Sequence, residues 1–207
     1  VRNRGVEVNL NVNAIQKQDW GLNVFFRASH NKNRIMEISD ALKEYNQKVD
    51  DYYSKYPNYN KPLLKYTEGA SLTSIYAVRS LGISPANGQE VFLDANGKVT
   101  YDWNATNQVV VGNTEPKLQG SFGFNFRWKR WTLFTAALFE TGGDLYNSTL
   151  VDNVECADIW KSNVDKRVYT QRWLEPGDVA PLKSIKDRYQ VTRPTSRFVQ
   201  KNRLVNC

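Results

Sequence analysis

The sequence predicts an all-β protein: an antiparallel transmembrane β-barrel segment with long extracellular loops that contain a short helix and a small hairpin. Three observations support this fold class. Apolar and polar residues alternate in two separate hairpins, tryptophans flank a short basic turn, and long polar connections alternate with short turns. We therefore divide the 207 residues, as parts of one barrel domain, into hairpins at 1–29 and 115–143, extracellular loops at 30–114 and 144–196, and the start of another strand at 197–207.

The first hairpin shows the alternation on both of its strands. Apolar residues occupy every second position from Val6 to Ala14 and again from Trp20 to Ala28, on either side of a short polar connection at 16–19. The intervening residues are mostly Asn, Arg, Ser and Glu, and Phe25 is the one apolar residue among them. Such a polar face suits the hydrated interior of a wide barrel.

The second hairpin repeats this plan. From Leu118 to Trp128 every second residue is apolar or glycine, and a short basic turn leads to Trp131 and the returning strand. Tryptophans at the corners of such a turn are typical of a hairpin that ends at the lipid–water interface. The facing of the strand at 132–140 stays open, because apolar residues occur on both of its faces.

The alternation also nominates the residues that face the barrel lumen and the membrane interface. The lumen-facing candidates are Glu7, Asn9, Asn11, Asn13, Asn23, Arg27, Lys117, Gln119, Asn125 and Arg127. The interfacial aromatic candidates are Trp20, Trp128 and Trp131. A shift of one residue in the strand register would invert this assignment, so it depends on the register of each strand.

The long connections have some internal order. Apolar residues at helical spacing follow the candidate N-cap Ser39, a run of tyrosines on a flexible frame occupies 52–59, and Asn96-Gly97 predicts a small hairpin within 90–101. Aromatic residues in these loops either contact a partner or substrate or pack within the loops, and both interpretations stay open. The candidate contact residues are Tyr53, Tyr56, Tyr59, Trp160, Tyr169 and Trp173.

Composition excludes several classes of protein. The formal net charge is +7, but basic residues are scattered among acidic ones, which argues against nucleic-acid binding. Mean hydropathy is −0.59, and no run of about twenty apolar residues predicts a transmembrane helix. With His30 as the only histidine, we expect no catalytic site, no metal site and no cofactor. Cys156 and Cys207 are expected to be ordinary small residues, although a bridge between them stays open.

Two other classes of protein share parts of this pattern. A soluble β-sandwich that acts as a carbohydrate-binding or adhesin module would also alternate, and a passive porin would have a similar strand plan. Four strands are too few to close a barrel, for which about eight are needed. We therefore expect either several copies in one barrel or a piece of a longer polypeptide, and the two ends of the chain favour a piece.

Several sequence strings resemble the SusC/RagA family of TonB-dependent outer-membrane transporters from Bacteroidetes. The string NRGVE at 3–7 is similar to that family's N-[KR]-G-V-E at the start of a late barrel strand. Further similar strings, in matching order, occur at 74–83, 112–117, 142–147, 163–167, 172–173 with 176–178, and 195–200. No single string is decisive, but together they cover nearly the whole chain.

The resemblance implies a barrel of about 22 strands in a Bacteroidetes-like outer membrane, with an N-terminal plug that is not in this chain. It implies a SusD-like surface lipoprotein as a lid over the external loops, and contact with TonB through a segment outside this chain. The implied substrates are large nutrients, either oligosaccharides or peptides. The other implied partners are the remainder of the barrel and the lipid bilayer.

Overall fold

The computed structural model describes residues 1–161, 163–185 and 192–206, and its strands form two antiparallel sheets. The strands are β1 (Arg2–Gln16), β2 (Trp20–Arg34), β3 (Ser74–Ile83), β4 (Glu90–Leu93), β5 (Val99–Thr100), β6 (Gln108–Asn113), β7 (Leu118–Trp128), β8 (Trp131–Tyr146) and β9 (Val199–Asn206). The α-helices are α1 (Asp40–Lys55), α2 (Ser148–Leu150) and α3 (Arg167–Thr170). A π-helical turn at Val151–Glu155 follows α2, and single 3₁₀ turns lie at Ala105–Asn107 and Ser196–Phe198.

The main sheet contains five strands in the order β1-β2-β7-β8-β9. Its strands pair in register along most of their length, and apolar residues lie opposite apolar residues because the alternation is in phase on β1, β2 and β7. The pairing of β1 with β2 shifts by one residue after Asn13. This bulge at Ala14 interrupts the predicted alternation and places Ile15 opposite Leu22.

A second sheet of four strands, in the order β5-β4-β3-β6, lies within the first long connection. The small hairpin around Asn96-Gly97 is its β4–β5 edge, as the turn sequence predicts. The rest of this sheet was not predicted. A hydrogen bond joins this sheet to the main sheet: the backbone amide of Asn113 on β6 donates to Asp144 Oδ2 on β8 at 3.0 Å.

The described parts of the two long connections lie at one end of the main sheet, and we call this unit the loop body (residues 35–117, 147–161, 163–185 and 192–198). Helix α1 begins after Ser39, whose hydroxyl accepts a hydrogen bond from the Leu42 amide, as its N-cap position predicts. Val49 and Tyr53 of this helix pack with Ala105. A second cluster contains Val154, Val168 and Leu182.

Two boundaries differ from the sequence prediction. Strands β2 and β8 extend beyond the predicted hairpin limits, to Arg34 and Tyr146. The tyrosine run also begins inside a helix, because α1 continues through Tyr52 and Tyr53 to Lys55. Strand β9 follows the second loop. Cys207 lies outside the described residues, and with it the question of a bridge to Cys156.

Among the described residues, no helix is both long enough and apolar enough to cross a bilayer.

Candidate functional site

The polar face of the main sheet brings the predicted lumen-facing residues into continuous rows. Asn13 lies opposite Asn23, which lies opposite Asn125. Asn23 Nδ2 donates hydrogen bonds to Oδ1 of Asn11 at 2.6 Å and of Asn13 at 2.8 Å. Neighbouring rows contain Asn9 with Arg27 and Ser121, and Glu7 with Ser29 and Gln119. Lys117 lies one residue before β7, with its side chain against Gly142.

The opposite face is apolar along the same strands. One row contains Leu10, Phe26, Phe122 and Ala137, and the next contains Val12, Val24, Phe124 and Thr135. Leu10 is 54% exposed and Phe122 is 46% exposed, so no described element covers this face. A soluble β-sandwich would bury such a face against a second sheet, which the described residues do not supply.

The three predicted interfacial tryptophans form one row at the turn end of the sheet. Trp20 lies opposite Trp128, and Trp128 lies opposite Trp131. Residues that lie directly opposite each other share a face, so all three side chains belong to the apolar face. Trp131 is 76% exposed.

The register also gives the facing of β8, which the sequence left open. Leu133 lies opposite Phe126 and Phe139 lies opposite Gly120, so both belong to the apolar face. Phe134 therefore belongs to the polar face, where its ring stacks on Phe25 with centroids 6.1 Å apart. Gly123 leaves room for this stack, because a Cβ there would lie 2.7 Å from Phe25 Cζ.

This aromatic pair on the polar face is a feature that the sequence analysis missed. Arg27 lies over Phe25, with its guanidinium carbon 5.7 Å from the ring centroid. Each phenylalanine was visible as an exception to the alternation, and a glycine interrupted the polar face between them. The pattern alone could not show that these exceptions meet, because that depends on the pairing of three strands.

The loop aromatics divide into buried and exposed residues. The expectation that Tyr53 and Trp173 contact a partner or substrate is wrong for this structure, because they are only 0% and 7% exposed. The Tyr53 hydroxyl donates to the Lys61 carbonyl at 2.8 Å, and the Trp173 indole donates to the Pro85 carbonyl at 2.9 Å. Both side chains therefore stabilise the loop body.

The remaining candidates lie at or near the surface. Tyr56, Trp160 and Tyr169 are exposed, and Tyr59 is half-buried against Tyr53 with ring centroids 5.9 Å apart. These residues are accessible to a molecule above the sheet.

A buried ion-pair cluster joins the two loops. Arg197 Nη2 lies 3.0 Å from Glu90 Oε2 and 2.6 Å from Glu155 Oε1. Burial alone would lower the pKa of Arg197, but the two carboxylates outweigh it and hold the pKa above its ordinary value. Nearby, Arg172 donates hydrogen bonds to the carbonyls of Val154 and Glu155. Arg197 therefore fixes the second loop against the first, whereas Arg172 holds segments of the second loop together.

Arg193 makes a second connection between the loops. Its guanidinium donates to the carbonyls of Tyr53 at 2.7 Å and Pro57 at 2.9 Å, and lies 4.1 Å from the ring centroid of Trp103. Burial lowers the pKa of Arg193. Burial has the opposite effect on the Tyr53 hydroxyl and raises its pKa, because the charged form of tyrosine is the deprotonated one.

No group of three or more His, Cys, Asp and Glu side chains that could hold a metal ion occurs in the described part of the chain. His30 lies on β2, where Nδ1 hydrogen bonds with the Lys117 carbonyl.

The chain is similar to a TonB-dependent receptor in sequence and to a peptide transporter in structure. It is 21% identical to the TonB-dependent receptor P3 of Formosa agariphila over 92% of this chain and 22% of that protein. The solved RagAB peptide transporter covers 98% of this chain, with a TM-score of 0.67 and 17% identity. The RagAB importer in its open-open and closed-closed states gives TM-scores of 0.70 at 16% identity and 0.69 at 17% identity.

The chain resembles a TonB-dependent receptor in sequence and shares the fold of the RagAB peptide transporter. The expected resemblance to a TonB-dependent transporter is confirmed by the sequence match, and the shared fold is confirmed by the structural matches. No family model matches the sequence. The chain spans about a fifth of the length of these relatives, 22% of the receptor and 22% of the RagAB chain.

Proposed function

We propose that this chain forms part of the barrel wall and external vestibule of a TonB-dependent outer-membrane importer. The observation that carries this proposal is the two-faced main sheet. Its apolar face ends in a row of three tryptophans, and its other face carries mostly polar residues around one aromatic pair. A lipid-facing exterior and a hydrated lumen account for both faces.

The same proposal orients the segment in the membrane. The two short turns, at 17–19 and 129–130, lie on the periplasmic side, and the loop body lies outside the cell. Similarity to a TonB-dependent receptor supports this placement. The hairpins then complete a barrel with strands from elsewhere in the polypeptide, and energy comes from TonB through a segment outside this chain.

The loop body is the part that would meet a lid and a substrate. We propose a SusD-like surface lipoprotein as the lid, contacted through exposed aromatics such as Tyr56, Trp160 and Tyr169. Peptides and oligosaccharides both fit an asparagine-rich lumen with an aromatic pair. The fold shared with the RagAB peptide transporter supports import of a large nutrient.

Whole-cell uptake tests this function. A strain that lacks the full-length gene, and the same strain with the gene restored, would be given fluorescent peptide and oligosaccharide pools. We expect uptake of at least one pool only with the gene, and loss of that uptake when the proton-motive force is dissipated. Uptake that persists after dissipation would identify a passive porin, and equal uptake in both strains would contradict import.

A further inference from the structure

The two short turns of the main sheet carry a concentrated positive charge. We call residues 16–20 and 127–131 the turn rim. It contains the four cations Lys17, Arg127, Lys129 and Arg130 and the single carboxylate Asp19. Lys17, Lys129 and Arg130 are exposed, and none of them has an ion pair among the described residues.

Hydrogen bonds to backbone carbonyls of the first turn connect the two turns into one surface. The Lys129 amide donates to the Asp19 carbonyl at 2.5 Å. Arg127 Nη2 donates to the Lys17 carbonyl at 3.2 Å, and its Nη1 reaches the Gln18 carbonyl at 3.5 Å. Arg127 therefore has a structural role, and the two turns that carry the other three cations are held side by side.

Each turn also places a lysine over a tryptophan of the apolar face. Lys17 Nζ lies 5.6 Å from the ring centroid of Trp20, and Lys129 Nζ lies 5.6 Å from that of Trp128. Because the two tryptophans lie opposite each other, the two ammonium groups stand above neighbouring rings. The rings suit the boundary between acyl chains and headgroups, and the ammonium groups lie where headgroup phosphates would be.

We infer that the turn rim binds the headgroups of anionic phospholipids in the membrane leaflet that it contacts. The inference rests on the proposed membrane placement. A phosphodiester with net negative charge is complemented by three exposed cations, whereas the ammonium group of a zwitterionic headgroup is repelled by them. Each cation near an anionic surface strengthens the interaction by roughly fivefold, and salt screens this effect.

The test compares charge variants of the full-length transporter in lipid bilayers. The protein is reconstituted into phosphatidylethanolamine bilayers that contain brominated phosphatidylglycerol, or brominated phosphatidylcholine instead. Tryptophan quenching then gives the preference for the anionic lipid. The rim variant is Lys17→Gln, Lys129→Asn and Arg130→Gln, with Asn chosen because Lys129 has a φ of 52°. The control variant replaces three exposed lysines of the loop body, Lys43, Lys48 and Lys161, with Gln.

We expect the unaltered protein and the control variant to prefer the anionic lipid. The preference of the rim variant for the anionic lipid should be at least about tenfold weaker. High salt should reduce the preference of the unaltered protein. An equal preference in all three proteins, or none in the unaltered protein, would overturn the inference while leaving the membrane placement intact. Failure of the unaltered protein to insert into either bilayer would overturn the placement itself. If the rim variant does not fold, the double variant Lys17→Gln, Lys129→Asn serves in its place, with an expected loss of at least about fivefold.

Discussion

Arg197 is the residue on which the connection between the two loops depends most. Its partners Glu90 and Glu155 have side chains that are only 7% and 0% exposed. A buried ion pair adds little net stability over apolar residues, but removing one partner leaves a buried charge without compensation. The three residues are far apart in the sequence, so the sequence alone does not predict this contact.

Arg197→Met should destabilise the loop body by about 3–5 kcal/mol, because two buried carboxylates would lose their cation. Hydrogen exchange of the β3 and Val151–Glu155 amides in the full-length protein measures this change. Arg167→Gln is the matched control, since the Arg167–Asp165 pair is exposed to solvent and should contribute little stability. Equal protection in both variants would show that the buried cluster does not stabilise the loop body.

Gly123 is the residue that allows the aromatic pair on the polar face. A Cβ at this position would press against the Thr135 carbonyl oxygen and the Phe25 ring, whereas at Gly21 the nearest atom is Ile15 O at 3.4 Å. Both glycines lie on the same face of the same sheet. They therefore differ mainly in the space around them.

Gly123→Ala should lower the free energy of unfolding of the full-length barrel by about 1–3 kcal/mol through overpacking. Gly21→Ala should change it by much less. Urea titration of the reconstituted protein, followed by its heat-modifiable gel mobility, measures both values. Equal midpoints for the two variants would contradict the close packing of Phe25 and Phe134 over Gly123.

At the scale of elements, the alternation predicted β1, β2 and β7 because a period of two is a local property of the sequence. The facing of β8 needed its register against β7, since Phe134 and Leu138 are apolar residues on its polar face. The second sheet was missed for a different reason. The first half of β3 is buried on both faces, so its sequence does not alternate, and it pairs with β6 far along the chain.

The aromatic loop residues show a related limit of sequence reasoning. Tyrosine and tryptophan combine a large apolar ring with one polar atom, so they serve equally in interfaces and in small cores. Tyr53 and Trp173 use that polar atom on neighbouring carbonyls inside the loop body. Their residue types therefore indicated a contact, but whether that contact is internal or external depends on how the loops pack.

Arg193 gives a test of the two loops as a single element. Arg193→Gln should remove the contacts with Trp103 and the Tyr53 carbonyl, and so release the second loop from helix α1. We expect limited proteolysis of the full-length protein to cut the second loop at least about tenfold faster, which corresponds to a loss of about 1.4 kcal/mol. Arg203→Gln, an exposed change on β9, is the control. An unchanged cleavage rate would indicate that the loops are held together without Arg193.

At the scale of the whole molecule, the two faces of the main sheet explain the composition, and they fit the proposed place in a barrel wall. A chain with a mean hydropathy of −0.59 can line a membrane barrel, because only one face of each strand needs to be apolar. The remaining polar residues lie on the other face and in the loop body. We therefore expect lipid on the apolar face and water on the polar face, and the row of three tryptophans marks the end of the apolar face.

Labels on two adjacent rows of the sheet, at the same depth in the membrane, test whether the two faces meet lipid and water. Single cysteines would replace Asn9, Arg27 or Ser121 on the polar face, and Leu10, Phe26 or Phe122 on the apolar face. Each full-length variant would carry a bimane label and be reconstituted into bilayers. We predict strong quenching by nitroxide lipids and blue-shifted emission only for the apolar row. Strong lipid quenching of the polar row, with weak quenching of the apolar row, would contradict the account.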